Sequence, residues 1–118
     1  MPASKSSARL SAYHEAIQAA RVAYAAGDLD DSFRLLERAH ILGQPWFVPH
    51  TMSHWLMLKI GLRRKDAREV RGQLIRLAAG GLLSLVGWLP KGNTGGADVS
   101  PTKPMPLPAD LAALCRPS

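Results

Sequence analysis

Hydrophobic residues recur along this chain with the 3.6-residue period of α-helices. In the first such segment, one apolar stripe consists of Leu10, Tyr13, Ile17, Ala20 and Tyr24. A stripe of this kind is typical of an amphipathic helix that buries one face. The same period returns three more times, and it predicts helices near residues 8–26, 29–41, 48–62 and 66–79. We expect an all-α fold of four antiparallel helices without a sheet.

Residues that start and stop helices separate these segments. Gly27 is a natural end for the first helix, and Asp28 is a natural N-cap for the second. Pro49 suits the first turn of the third helix. Asp66 is followed three residues later by Glu69, an arrangement similar to a capping box, which predicts the start of the fourth helix. We therefore interpret Asp66 and Glu69 as structural residues rather than metal ligands.

The composition changes beyond Gly80, where glycine and proline become frequent. Residues 82–89 nevertheless include six large apolar side chains, and burying each one is worth roughly 1.5–3 kcal/mol. We therefore expect an extended C-terminal tail, residues 80–118, that packs on a core formed by residues 8–79. The sequence PADLAAL predicts a short terminal helix near residues 108–114. At 118 residues, the chain is long enough for a single helical domain.

Residues 16–45 resemble a tetratricopeptide repeat. Their sequence is AIQAARVAYAAGDLDDSFRLLERAHILGQP, with small residues, a tyrosine before a GD turn, and a second helix that contains LERA before a proline. A second such unit runs through HWLMLKIGLRRKDAREVRGQLIRLAAG, where Asp66 falls in the place of Asp28. The resemblance implies tetratricopeptide-like helical hairpins.

Over nearly its full length, the chain also resembles a family of small bacterial proteins designated domain of unknown function 3703. The segments that carry this resemblance are LERAHILGQ at residues 36–44, HW at 54–55, KDAREVRGQLIRL at 65–77, GNTGG at 92–96 and PMPLPADL at 104–111. The resemblance implies an all-helical bacterial domain, and it brings no established activity. It also favours a tail that belongs to the fold.

The net charge of +6 and the pI near 10.1 point to an acidic partner. The basic cluster, within nine residues, consists of Arg63, Arg64, Lys65, Arg68 and Arg71. No aromatic residues interleave it and no nucleic-acid motif accompanies it, so a nucleic-acid ligand is not expected. A solvated helix end is the favoured interpretation, and the alternative is a phosphate-binding patch.

Cysteine usage and hydropathy bear on the location of the protein. A single cysteine, Cys115, excludes an internal disulfide framework and fits a reducing compartment. The longest apolar run, residues 77–89, is too short and too rich in glycine to span a bilayer. We therefore expect a cytoplasmic protein without a membrane span.

Three of the four histidines lie close to one predicted turn. Glu37 and His40 share a helix face by their i, i+3 spacing, and His50 and His54 share one by their i, i+4 spacing. The turn near residues 43–45 brings the two faces together. Imidazole and carboxylate groups at one point are what a transition metal requires, so we predict His40, His50 and His54 as core ligands and Glu37 as the next candidate.

Two residues of the first helix are further candidates. Pairing about Gly27 brings His14 and Glu15 to the level of His40. His14 flanks the apolar stripe, whereas Glu15 points toward an alanine-rich face and can join only if that face meets the second helix pair. Such a donor set suits zinc, nickel, copper or iron. Met57 would add a preference for cuprous copper only if its sulfur points inward.

Three functions remain open at this point. The first is a non-catalytic protein that binds or handles a metal. The second is a tetratricopeptide-like interaction module whose groove, with the basic cluster nearby, binds an acidic segment of a partner protein. The third is a metal-dependent enzyme, for which Glu37 and Glu15 are the available bases. The sequence favours the non-catalytic functions because it shows no set of nucleophile, histidine and acid.

Overall fold

The computed structural model describes residues 4–85, 95–97 and 104–115, without the side chains of residues 80–85. The helices of this part are α1 (Lys5–Ala25), α2 (Leu29–Gly43), α3 (Phe47–Arg64), α4 (Ala67–Leu85) and α5 (Ala109–Cys115). No strand occurs among the described residues. The predicted all-α fold of helical hairpins with a short terminal helix is confirmed.

The turn between α1 and α2 forms as its residues predict. Gly27 adopts φ +81°, a left-handed conformation that glycine reaches without strain. The side chain of Asp28 accepts a hydrogen bond from the backbone N–H of Asp31 at 3.2 Å. This bond satisfies one of the free N–H groups at the start of α2.

The turn between α3 and α4 combines an unusual C-terminal residue with the expected N-terminal one. Lys65 ends α3 with φ +56°, in the position that glycine usually takes. Asp66 then accepts a hydrogen bond from the backbone N–H of Glu69 at 3.1 Å, as predicted for the start of α4. The N–H of Asp66 itself is bonded to the carbonyl of Gly61, so it is already satisfied without the side chain of Glu69.

Helix α4 continues to Leu85, whereas the sequence predicted its end near Ala79. Two consecutive glycines, Gly80 and Gly81, lie inside the helix. Each glycine costs a helix only about 1 kcal/mol relative to alanine, and the leucines that follow are strong helix formers. The backbone of residues 80–85 is described as part of α4. The expected packing of the side chains of residues 80–94 lies outside the described part of the chain.

Helix α2 lies at the centre of the arrangement, because it packs against α1, α3 and α5. The buried core includes Tyr13, Leu36, Met57, Ile60 and Leu111. Through Leu111 and Cys115, α5 joins the core formed by the first three helices. This packing holds the end of α2 beside the start of α3, where the predicted ligands lie. None of the helices in the described part combines the length and apolarity needed to cross a bilayer.

Candidate metal centre

Three histidine side chains meet at the junction of α2 and α3. The Nε2 atom of His40 lies 3.1 Å from that of His54 and 3.0 Å from that of His50, and the Nε2 atoms of His50 and His54 are 3.1 Å apart. The residues are only 2%, 8% and 3% exposed for His40, His50 and His54. The planes of the three rings are tilted at 58–69° to one another. The short distances between the Nε2 atoms show that the rings direct these atoms toward one point. We call these three residues the histidine triad.

Close packing at the turn fixes the start of α3, which carries His50 and His54. The hydroxyl of Tyr13 donates a hydrogen bond to the carbonyl of Pro49 at 3.0 Å and thereby ties α3 to α1. A side chain at Gly43 would place its Cβ 2.9 Å from both the Tyr13 ring and the Cβ of Pro49. The glycine therefore permits the close approach that brings the end of α2 to the histidines of α3.

Burial keeps two of the histidines neutral at physiological pH. It lowers the pKa of His50 to about 4, because the charged imidazolium would lose its hydration. The pKa of His54 is lowered to about 3, mainly by burial and also by electrostatic interaction with His50 and Arg76, while the hydrogen bond to Gln73 acts in the opposite direction. Neutral imidazole is the form that binds a metal.

A second set of polar residues lies behind His54. The Nδ1 atom of His54 is 2.7 Å from Oε1 of Gln73, on α4. The amide nitrogen of Gln73 donates to Oε2 of Glu69 at 2.6 Å and to the carbonyl of Gly95 at 2.9 Å. Glu69 accepts a further hydrogen bond, at 3.1 Å, from the backbone N–H of Ala97. The ring of His54 is therefore held from the side opposite the triad.

The spacing of the three nitrogens suits one transition-metal ion. Zinc binds imidazole nitrogen at about 2.0–2.1 Å. Three nitrogens 3.0–3.1 Å apart are close enough for all of them to bind one such ion. His40, His50 and His54 would hold the ion, and other coordination positions would stay open to further ligands. Among the described residues, these histidines form the group of at least three potential ligands that lie close enough to hold one metal ion.

The other predicted ligands do not join this group. Glu37 is half-buried on α2, and its carboxylate is not one of the convergent ligand atoms. His14 and Glu15 are exposed, and His14 packs edge-on against the ring of Tyr13 with the centroids 5.1 Å apart. Tyr13, Ala16 and Ile17 are among the residues that α1 directs into the core, whereas His14 and Glu15 between them face solvent. Of the six predicted ligands, His40, His50 and His54 are therefore the ones that the structure brings together as one group.

Sequence reasoning missed Gln73 and Gly95, and it gave Glu69 a different role. Glutamine is not a usual metal ligand, and Gly95 is 22 residues from its partner Gln73. One available signal was the i, i+4 spacing of Glu69 and Gln73 on α4. The sulfur of Met57 lies 3.5 Å from the amide nitrogen of Gln73, which places it against this residue.

The basic cluster lies at the turn between α3 and α4, and all five of its side chains are exposed. Two of them nevertheless have partners within the protein. Arg63 donates to the carbonyl of Tyr24 at 2.7 Å, and Arg64 forms an ion pair with Asp30. These two arginines therefore connect the second hairpin to the first, and Arg64 is the member of the cluster with an ion pair among the described residues.

Comparisons with known proteins give one match. No curated protein and no solved structure matches the chain significantly. A family model with the description "Protein of unknown function (DUF3703)" matches residues 7–115, which include all five helices except the first two residues of α1. The chain therefore belongs to the DUF3703 family.

Proposed function

We propose that this protein binds a single transition-metal ion through His40, His50 and His54 and that it handles the metal without catalysis. The observation that carries the proposal is the convergence of three buried Nε2 atoms at 3.0–3.1 Å. Ordinary buried histidines satisfy their ring nitrogens with separate donors and acceptors. Here three such nitrogens are directed at each other.

Hydrogen bonding alone cannot satisfy this triangle. An imidazole Nε2 carries either a hydrogen or a lone pair, so it can donate or accept but not do both. Among three contacts at hydrogen-bond distance, at least one pair therefore has no hydrogen between its nitrogens, or has two that repel. A buried group left in this state costs about 1–3 kcal/mol. A metal ion removes the conflict, because it accepts all three lone pairs.

The donor set supports a transition metal rather than magnesium or calcium. Imidazole suits zinc, copper, nickel and iron, whereas magnesium and calcium prefer oxygen ligands. One acid of the hydrogen-bond network, Glu69, is separated from the triad by Gln73 and accepts from the N–H of Ala97. Glu69 is therefore placed to support a bound ion through Gln73 rather than to act as a base on metal-bound water.

Calorimetric titration of metal-free protein with zinc, copper, nickel and ferrous iron tests the proposal. We expect wild type to bind at least one of them tightly with 1:1 stoichiometry, and we expect His50→Ala and His54→Ala to lose that binding. His14→Ala, which changes an exposed histidine outside the triad, is the matched control and should bind as wild type does. A wild type that binds none of these metals, or folded triad variants that bind equally well, would refute the proposal.

A second candidate function is the recognition of an acidic segment of another protein. A cavity of about 220 Å³ between α1, α2 and α3 supports it, because Arg21 and Lys59 line this cavity together with apolar residues such as Leu36 and Ile60. A partner segment with an acidic and an aliphatic side chain would complement such a lining. The exposed charges of the basic cluster would add attraction at long range.

A further inference from the structure

We propose that Gln73 is a positioning residue of the metal centre, which holds His54 in the tautomer with its hydrogen on Nδ1, and that Glu69 orients Gln73 for this role. The inference rests on the proposed function, since it assigns the residues that prepare one ligand of the triad. It concerns α4, which supplies no ligand itself. Its basis is a continuous set of hydrogen bonds whose directions are determined by their end groups.

The orientation of the Gln73 amide follows from its two other partners. Gln73 is fully buried, and one terminal atom of its amide lies 2.6 Å from a carboxylate oxygen of Glu69 and 2.9 Å from the carbonyl oxygen of Gly95. Both partners can only accept a hydrogen bond at these distances. The atom between them must therefore be the NH₂ nitrogen, with one hydrogen for each oxygen. The amide oxygen is then the atom that faces His54.

The tautomer of His54 follows from the orientation of Gln73. An amide oxygen can only accept, so the 2.7 Å contact requires a hydrogen on Nδ1 of His54. A neutral imidazole has one ring hydrogen, which leaves a lone pair on Nε2. This lone pair points at the Nε2 atoms of His40 and His50, 3.1 Å away. His54 is thus prepared as a metal ligand before any metal arrives.

Glu69 extends the hydrogen bond between His54 and Gln73 into a longer chain. Its carboxylate binds the Gln73 amide on one side and accepts from the N–H of Ala97 on the other. A carboxylate that accepts from an amide increases the acceptor strength of the amide oxygen, and this in turn increases the basicity of the imidazole that donates to it. The His54–Gln73–Glu69 chain therefore has the form of a carboxylate–histidine–metal arrangement with one amide inserted.

Gly95 links this chain to a second ligand. Its carbonyl accepts from Gln73, and a Cβ at this position would lie 2.6 Å from Cδ2 of His40. Its φ of +85° is also a conformation that favours glycine. The same residue therefore fixes the Gln73 amide and packs on the ring of His40, so two of the three ligands depend on its position.

Two proteins test the role of Gln73: wild type and Gln73→Leu. Leucine lacks the amide oxygen, so it cannot accept from Nδ1 of His54. We expect the Gln73→Leu variant to bind zinc 10–100-fold more weakly than wild type, as is usual when such a supporting partner is lost.

Nitrogen-15 NMR of the imidazole rings in the metal-free proteins provides the readout that a merely structural role would not move. We expect His54 of wild type to show its hydrogen on Nδ1, and Gln73→Leu to show a mixture of tautomers. A wild-type His54 with its hydrogen on Nε2 would overturn the positioning role even if zinc binds. This measurement on wild type does not depend on the folding of any variant. Unchanged zinc affinity in folded Gln73→Leu would also overturn the positioning role. Failure of wild type to bind metal, with the Nδ1 tautomer present, would instead refute the proposed function.

Discussion

Acidification should destabilise the metal-free protein before its carboxylates titrate. His50 and His54 have pKa values of about 4 and about 3 in the folded protein, because burial disfavours their charged forms. In the unfolded chain both return to about 6.5. Between these values the unfolded state binds more protons than the folded state. The free energy of unfolding is therefore highest above about pH 6.5 and decreases as the pH falls toward the folded pKa values.

The size of the effect can be estimated from these pKa values. At pH 5, the unfolded chain has protonated both imidazoles, whereas the folded protein has protonated little of His50 and almost none of His54. Each histidine then costs about 2 kcal/mol relative to pH 7.5, at about 1.4 kcal/mol for each pH unit below 6.5. The sum of about 4 kcal/mol is a large part of the 5–15 kcal/mol that stabilises a typical domain.

Urea unfolding of the metal-free protein at pH 7.5 and pH 5.0, followed by circular dichroism, measures this difference. The ordinary pKa values of carboxyl side chains lie below this pH range and that of histidine lies within it, so the comparison is directed at the histidines. His14→Gln, which changes an exposed histidine, should keep the full pH dependence, and His50→Gln should remove about half of it. A wild-type decrease of less than about 1 kcal/mol would show that the triad histidines ionise freely, and it would refute the reasoning from burial.

Three further predictions concern metal, backbone and charge. Zinc at 100 times its dissociation constant should raise the free energy of unfolding by about 2.7 kcal/mol in wild type, and folded His50→Ala should show no such gain in the same urea titration. Gly27→Ala should lose about 1–2 kcal/mol of unfolding free energy because its φ is positive, and Gly95→Ala should lose more because its Cβ would also lie 2.6 Å from the His40 ring. Calorimetry should show weaker zinc binding only for Gly95→Ala, and an equal loss of zinc binding in both variants would contradict the contact with the triad. If an acidic partner is captured in a pull-down, Arg68→Glu with Arg71→Glu should weaken its binding at low salt, and unchanged binding would leave these residues as a solvated surface.

The helices could be predicted because the signals that define them are local. Gly27 and Asp28 determine one turn through bonds within a few residues, and Asp66 does the same for the start of α4. The predicted end of α4 was wrong because a pair of glycines weakens a helix without excluding it. Lys65 shows the converse case, since a non-glycine residue takes the left-handed position at the end of α3.

The histidine triad could be predicted for the same reason. His50 and His54 share a face by their spacing, and a turn of a few residues leaves His40 little freedom to be elsewhere. The inclusion of His14 and Glu15 required knowledge of which face of α1 meets α2 and α3. The structure directs Tyr13 to that contact, and its side chain occupies the space beside Gly43 and Pro49. Tertiary packing, rather than helical spacing, thus decided which polar residues of α1 stay in solvent.

The residues that support the triad could not be predicted from the sequence, because Glu69 does not have the capping role that its position suggests. Glu69 has the spacing of a capping-box acid, but the carbonyl of Gly61 already satisfies the N–H of Asp66 that this acid would bind. Its carboxylate is therefore available to Gln73, and Gln73 in turn reaches His54 only because α4 packs on α3. The two acids of a motif that looked complete in the sequence thus have separate partners: Asp66 binds the backbone at the start of α4, and Glu69 binds Gln73, which contacts the triad. The α3–α4 hairpin therefore contributes His50 and His54 from α3 and the polar residues that hold His54 from α4.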